Sequence, residues 1–128
     1  MRRKDFGQNL VELALVLPMV FILGFAIVEM GRIWHTYEVT KMAVLDGAYT
    51  ASITQDAATG QKQLVSRLTV ANLAFSSPSV SPVLRNTQTV GYKAGVTVTY
   101  SPIFGGTFGL IPDRFDISYS DINYYSIY

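Results

Sequence analysis

The residue with the clearest chemical potential is an acid in an unexpected place. In GQNLVELALVLPMVFILGFAIVE, residues 7–29, Glu12 sits two residues into an apolar run. A carboxylate deep in hydrocarbon costs about 2.5–3.5 kcal/mol on insertion scales and less near the headgroups. Such a group gains if a cation meets it there. Cutting the chain after Gly7 would create one, the α-amine of Gln8. That amine and the Glu12 of a neighbouring copy would pair in apolar surroundings, which rewards one axial register between subunits. The plainer alternative is that Glu12 marks the headgroup level of a one-pass anchor.

The other candidates are weaker. Asp113, Asp116 and Asp121 form the acidic cluster, but they lack the alternating ligands, central glycine and terminal glutamate of a calcium loop. A solvated strand face is the expectation. His35, the single histidine, lies beside Trp34 and reads as an interfacial side chain. The absence of cysteine excludes disulfides, thiolate catalysis and Cys-ligated metal. Serines are present without a Gly-x-Ser-x-Gly or a paired base. No enzyme, no metal and no cofactor is expected. A net charge of +1 does not suggest nucleic acid.

The elements that hold Glu12 follow from hydropathy. Of the 128 residues 49% are apolar, and the excess is concentrated in residues 10–28. From Leu13 to Val28 there is no charge, which gives about 24 Å of helix. A hydrocarbon core of about 30 Å needs about 20 residues, so with Leu10 and Val11 the span is marginal but adequate. Arg2, Arg3 and Lys4 precede it and place the N-terminus in the cytoplasm. A conventional cleaved signal is disfavoured, because Glu12 and Pro18 interrupt the core and no small-x-small site follows. Pro18 removes a donor and bends or opens the helix. Gly24 and Ala26 permit close helix approach or are lipid-compatible filler.

One helix is expected over residues 9–53. Glu29 and Arg32 can pair at i, i+3, and Trp34 and Tyr37 suit the membrane interface. Met42, Leu45, Tyr49 and Ile53 form an apolar stripe on a stalk packed under a head, and Gly47 allows close packing at a cost of about 1 kcal/mol in propensity. Residues 55–60 read as a loop. A second helix follows over 60–75, with Leu64, Leu68, Ala71 and Phe75 on one face, ended by Ser76, Ser77 and Pro78. Strands are expected at 96–100 and from 115, with a bulge near Asp121, or the end of the strand, where the apolar phase changes. A weaker strand near 80–90 is broken by Pro82 and so lies at an edge. Residues 91–95 suggest a hairpin turn. Residues 101–112 form a loop whose Ile103, Phe104, Phe108, Leu110 and Ile111 fold over the sheet or meet a partner. Tyr119, Tyr124, Tyr125 and Tyr128 suit protein contacts or simply strands.

The fold class is therefore α+β: a long N-terminal transmembrane and stalk helix, a second helix, and a small antiparallel β-sheet of about three strands. The expected organisation is a leader at 1–7, the helix at 8–54 and an extracytoplasmic head at 55–128.

A short basic leader ending in Gly7, then an apolar helix with Glu12 five positions on, resembles the class III signal of type IV pilin-like proteins. The block Glu12, Ala14-Leu15-Val16-Leu17-Pro18, then Glu29-x-Gly31-Arg32, then Asp46-Gly47-Ala48, is similar to the TadE-like minor pilins (pseudopilins) of the tight-adherence, or Tad/Flp, pilus system. The likeness covers about residues 7–52. The family has an arginine after the last block, and Tyr49 stands there instead, so no role for that arginine carries over. The resemblance implies a structural minor prepilin that acts in pilus biogenesis and surface adherence. It implies cleavage by a prepilin peptidase, an aspartyl membrane protease. It also implies other Tad minor pilins, the major Flp pilin, and an inner-membrane assembly platform with its ATPase as partners. The implied location is the bacterial inner membrane, single pass, head outside, with incorporation into an extracellular pilus. The competing reading is an uncleaved single-pass envelope protein whose head scaffolds or binds a secretion-complex partner.

Overall fold

The computed structural model describes residues 3–103, 105–106 and 112–124, with side chains from Gly7 onward. Five elements follow in order: α1 (Arg3–Thr54), α2 (Ala57–Val70), β1 (Phe75–Arg85), β2 (Gln88–Tyr100) and β3 (Phe115–Tyr124). The contacts divide the chain into two units, Met1–Ile33 and Trp34–Tyr128. Of the residues singled out above, Arg2, Phe104, Phe108, Leu110, Ile111, Tyr125 and Tyr128 lie outside the described set, as do the side chains of Arg3 and Lys4.

The first unit is the front of α1. Every described side chain from Gly7 to Val28 is exposed. Leu13, Leu15, Met19, Ile22 and Ile27 are among the large apolar groups open all round the helix. An 18-residue window of this helix reaches a mean hydropathy of 2.6 with none of it buried, so the helix is long and apolar enough to cross a membrane. Pro18 lies inside the helix.

The second unit is a layer of helix on a three-stranded antiparallel sheet ordered β1-β2-β3. Its core joins Ala43, Val44 and Ala48 of α1, Leu64 and Leu68 of α2, and Ala94, Val96 and Val98 of the central strand. The face of α1 turned inward is thus made of small residues, with Thr40 and Ala51 also fully buried. This differs from the apolar stripe expected to pack under the head. Met42, Tyr49 and Ile53 are 61%, 58% and 63% exposed. Close approach selects small side chains, and the larger ones face outward on the opposite side. The ring of Tyr37 meets Tyr119 edge-on with centroids 5.8 Å apart.

Turn chemistry accounts for the shifted boundaries. Asp56, in the expected loop, is the N-cap of α2. Its carboxylate accepts from the amides of Ala58 at 3.1 Å and Thr59 at 2.9 Å. The helix ends well before Pro78. The amide of Leu73 donates to Leu68 O at 3.2 Å and that of Asn72 to Thr69 O at 3.0 Å, with Asn72 at φ 54°. That is a Schellman cap with asparagine in the left-handed position and an apolar Leu73–Leu68 pair beneath it. Phe75 consequently starts β1 and does not end a helix.

The hairpin turn is not at residues 91–95. It is Asn86-Thr87, both at positive φ (49° and 70°), closing Arg85 onto Gln88. Two positive φ angles match the twist of the flanking strands, though a threonine in that role hides the signal. Gly91 and Gly95 lie within β2 because β3 runs close by. A Cβ on Gly91 would strike Asn123 O and stand 2.9 Å from Tyr124 Cα. The expected bulge near Asp121 is also absent: β3 alternates without a break from Phe115 to Tyr124 and pairs with β2 in one register. Ile122 and Tyr124 simply face outward, at 36% and 63% exposure.

Candidate functional site

The candidate assembly residues are strung along α1. Gly7, Gln8, Glu12, Leu13, Pro18, Gly24 and Val28 share one continuous helix, and each is exposed. A helix presenting Glu12 on an otherwise uncharged apolar surface can offer one acceptor to one cation. No atom approaches within 4 Å of where a Cβ would stand on Gly7, Gly24 or Gly31. Those positions are therefore open to close approach by another helix.

The motif residues further along have separate structural roles. Arg32 reaches Glu29 at 3.5 Å across one helical turn. Such an exposed pair contributes a few tenths of a kcal/mol. Asp46 pairs with Arg67 of α2 at 2.8 Å. Tyr49, at the place where the resemblance expects an arginine, is exposed. Ala48 is 1% exposed in the core.

Gly47 is the tightest of these positions. A Cβ there would stand 2.9 Å from Leu64 Cβ and 3.2 Å from Gly60 O. On the facing helix, a Cβ on Gly60 would stand 2.5 Å from Ala51 Cβ and 2.6 Å from Gly47 O. The two helices meet through paired glycines, which lets Asp46 and Arg67 close over the crossing. Sequence reasoning did not find Gly60, Ala51 or Arg67. The sequence places Gly60 at the junction of loop and second helix, and the aspartate cap at position 56 sets it one turn inside α2.

Among its described residues the head offers little reactive chemistry. The outer face of the sheet holds an open trough of about 420 Å³ lined by Ser79, Ser81, Lys93, Thr97, Ser118 and Ser120. Within it the Thr97 and Ser118 hydroxyl oxygens lie 3.0 Å apart, and Ser79 Oγ donates to Gly95 O at 3.4 Å. Asp116 accepts from Thr99 Oγ1 at 2.8 Å and Asp121 from the amide of Ile122 at 2.7 Å. Among the described residues no three His, Asp or Glu side chains are grouped to hold a metal. Asp56 has its carboxyl held below the ordinary aspartate value, first by the Thr59 hydroxyl and then by the Ala58 and Thr59 amides.

Residues 7–48 match the family model described as TadE-like protein. Over that third of its length the chain is similar to TadE-like proteins. No curated protein and no solved structure matches it. The matched segment opens at Gly7 and closes at Ala48, so it takes in Glu12, the Glu29-x-Gly31-Arg32 block and the Asp46-Gly47-Ala48 block. The likeness is to pilin-like proteins associated with a Tad pilus. The long apolar α1 is compatible with a single membrane pass.

Proposed function

We propose that this chain is a minor prepilin of a Tad-type pilus, cut after Gly7 by a prepilin peptidase. The observation that carries the reading is the family match beginning at Gly7 and running through an apolar stretch, residues 7–28, whose side chains are all exposed. An uncovered apolar helix needs either lipid or other helices around it. In this reading it has lipid before assembly and a helical bundle afterwards.

The basic leader holds the N-terminus in the cytoplasm and the head outside. Cleavage removes Arg2, Arg3, Lys4 and Asp5, shifting the formal charge from +1 to −1, and exposes the Gln8 amine. Glu12 of an adjacent subunit accepts from that amine and fixes the axial register. The exposed Met42, Tyr49 and Ile53 offer apolar groups on the stalk to neighbouring subunits. The chain is a substrate of the peptidase and catalyses nothing itself. Its partners are other Tad minor pilins, the major Flp pilin, and the membrane platform with its ATPase.

Incorporation is the test. The processed chain should appear in pili sheared from the cell surface, and Glu12→Ala should leave processed chain in the membrane while removing it from the sheared fraction. A chain absent from sheared pili, and unaffected by Glu12→Ala, would favour the uncleaved envelope protein.

A further inference from the structure

We infer that the open edge of β3 takes an extended, cation-bearing segment of a different chain as a fourth strand of the sheet. The two edges of this sheet are unlike. β1 is blunted: it holds Pro78 and Pro82, and its pairing with β2 shifts register twice. Ser77 sits at φ 52°, and Gln61 Nε2 of α2 donates to Pro78 O at 2.9 Å. These are the devices that keep an edge from pairing. β3 has no proline, no glycine and no register shift along its length.

The backbone direction on β3 follows from its neighbours. Thr99 of β2 sends its amide toward the β1 side, to Ala74 O at 2.9 Å. Backbone groups alternate along an antiparallel ladder, so Val98 faces β3 and its partner Ile117 faces back. The even-numbered residues of β3 therefore turn their amides to the open edge. The amide of Ile122 agrees, since it is taken by the Asp121 side chain. That bond closes one end of the edge. The backbone of Asp116, Ser118 and Ser120 faces outward, where the described residues offer no strand.

Burial and charge select the occupant. The inward row of β2, from Tyr92 through Ala94, Val96 and Val98 to Tyr100, is buried. The corresponding row of β3, Phe115, Ile117 and Tyr119, is only half-buried. A further strand with apolar residues at alternate positions would complete that layer. β3 carries Asp116 and Asp121 and no cation. A second β3 would bring like charges to the same edge, which disfavours self-pairing, and β1 of another copy offers a broken ladder. A foreign segment bearing Lys or Arg fits both constraints. The inference does not depend on cleavage, since a chain starting at Met1 carries the same edge.

Hydrogen exchange of the full chain tests it, comparing vesicles of its own cell envelope with the same chain purified in detergent. The β3 amides should exchange at least about tenfold more slowly in the envelope. Ser118→Pro, which removes an amide the β2 ladder does not use, should abolish that protection, and Ser118→Ala should keep it. Asp116→Lys should weaken it by repelling the partner's cation. If Ser118→Pro does not fold, the comparison on the unsubstituted chain still decides. Equal exchange in both settings overturns the inference. So does protection already present in the dilute purified chain, which would mean that its own residues cover the edge, and protection that grows with its concentration, which would mean a second copy. Protection unchanged by Asp116→Lys overturns the cationic character of the partner.

Discussion

Replacing Gly60 by alanine should destabilise the head, although alanine is the better helix former. The propensity gain is up to about 1 kcal/mol. Against it, the new Cβ would stand 2.5 Å from Ala51 Cβ, 2.6 Å from Gly47 O and 3.1 Å from Ala51 Cα. Ordinary carbon contacts are about 3.5–4.0 Å, so the overlap is close to an ångström. None of the three atoms is the end of a flexible side chain, and α1 and α2 must separate. Overpacking of this kind costs about 1–3 kcal/mol, and parting the helices also loosens Leu64, which is fully buried between them and the sheet. The expected net loss is about 1–2 kcal/mol. For a domain of this size each kcal/mol moves Tm by about 4–8 °C, so a drop of roughly 5–15 °C is expected. The assay is thermal unfolding of the full chain in detergent, followed by near-UV circular dichroism of the tyrosines. Gly31→Ala is the control, since nothing lies within 4 Å of its Cβ position. Ala51→Gly should restore only part of the loss in the double variant, because Gly47 O and the Cα of residue 51 still stand 2.6 Å and 3.1 Å from the new Cβ. A Gly60→Ala chain as stable as the parent would refute the close helix crossing.

Leu64→Ala should cost about 2–5 kcal/mol in the same assay, since Leu64 is fully buried, while Met42→Ser, on the open face of α1, should stay within about 0.5 kcal/mol. Arg67→Ala should cost at most about 1 kcal/mol despite its 2.8 Å contact with Asp46, because the two side chains are 59% and 42% exposed and water screens the pair. The Asp56 cap should give α2 a pH dependence. Its folded carboxyl sits below the ordinary aspartate value, so its stabilisation is present above the unfolded value and is lost as pH falls through the lower folded one. An acid titration of unfolding should show that loss at the bottom of the aspartate range, and Asp56→Asn, which can still cap, should flatten it.

The residues that could be read without a structure are those whose signal is local. The apolar run from Leu13 to Val28, the Glu29–Arg32 spacing and the alternation in β2 and β3 each lie within one element. What escaped depends on residues far apart in sequence. The small-residue face of α1 is inward because α2 and β2 approach closely, and hydropathy alone favours the larger Met42, Tyr49 and Ile53. Gly60, Gly91 and Gly95 look like turn formers, yet each is a place where another backbone or Cβ comes near. The true turns use Asn72, Asn86 and Thr87, which take the left-handed region without announcing it. Arg67 could not be matched to Asp46 until the two helices were set against each other. The roles of Gly7, Gln8 and Glu12 were legible only through resemblance, because the chemistry assigned to them requires a peptidase and a neighbouring subunit.

The most direct test of the account is the N-terminus of the membrane-bound protein, determined by intact mass and N-terminal peptide analysis with and without its prepilin peptidase. The account predicts a chain beginning at Gln8 only when the peptidase is active. A chain that still begins at Met1 in the presence of active peptidase would contradict it, and would leave Glu12 as a headgroup-level acid on a simple anchor.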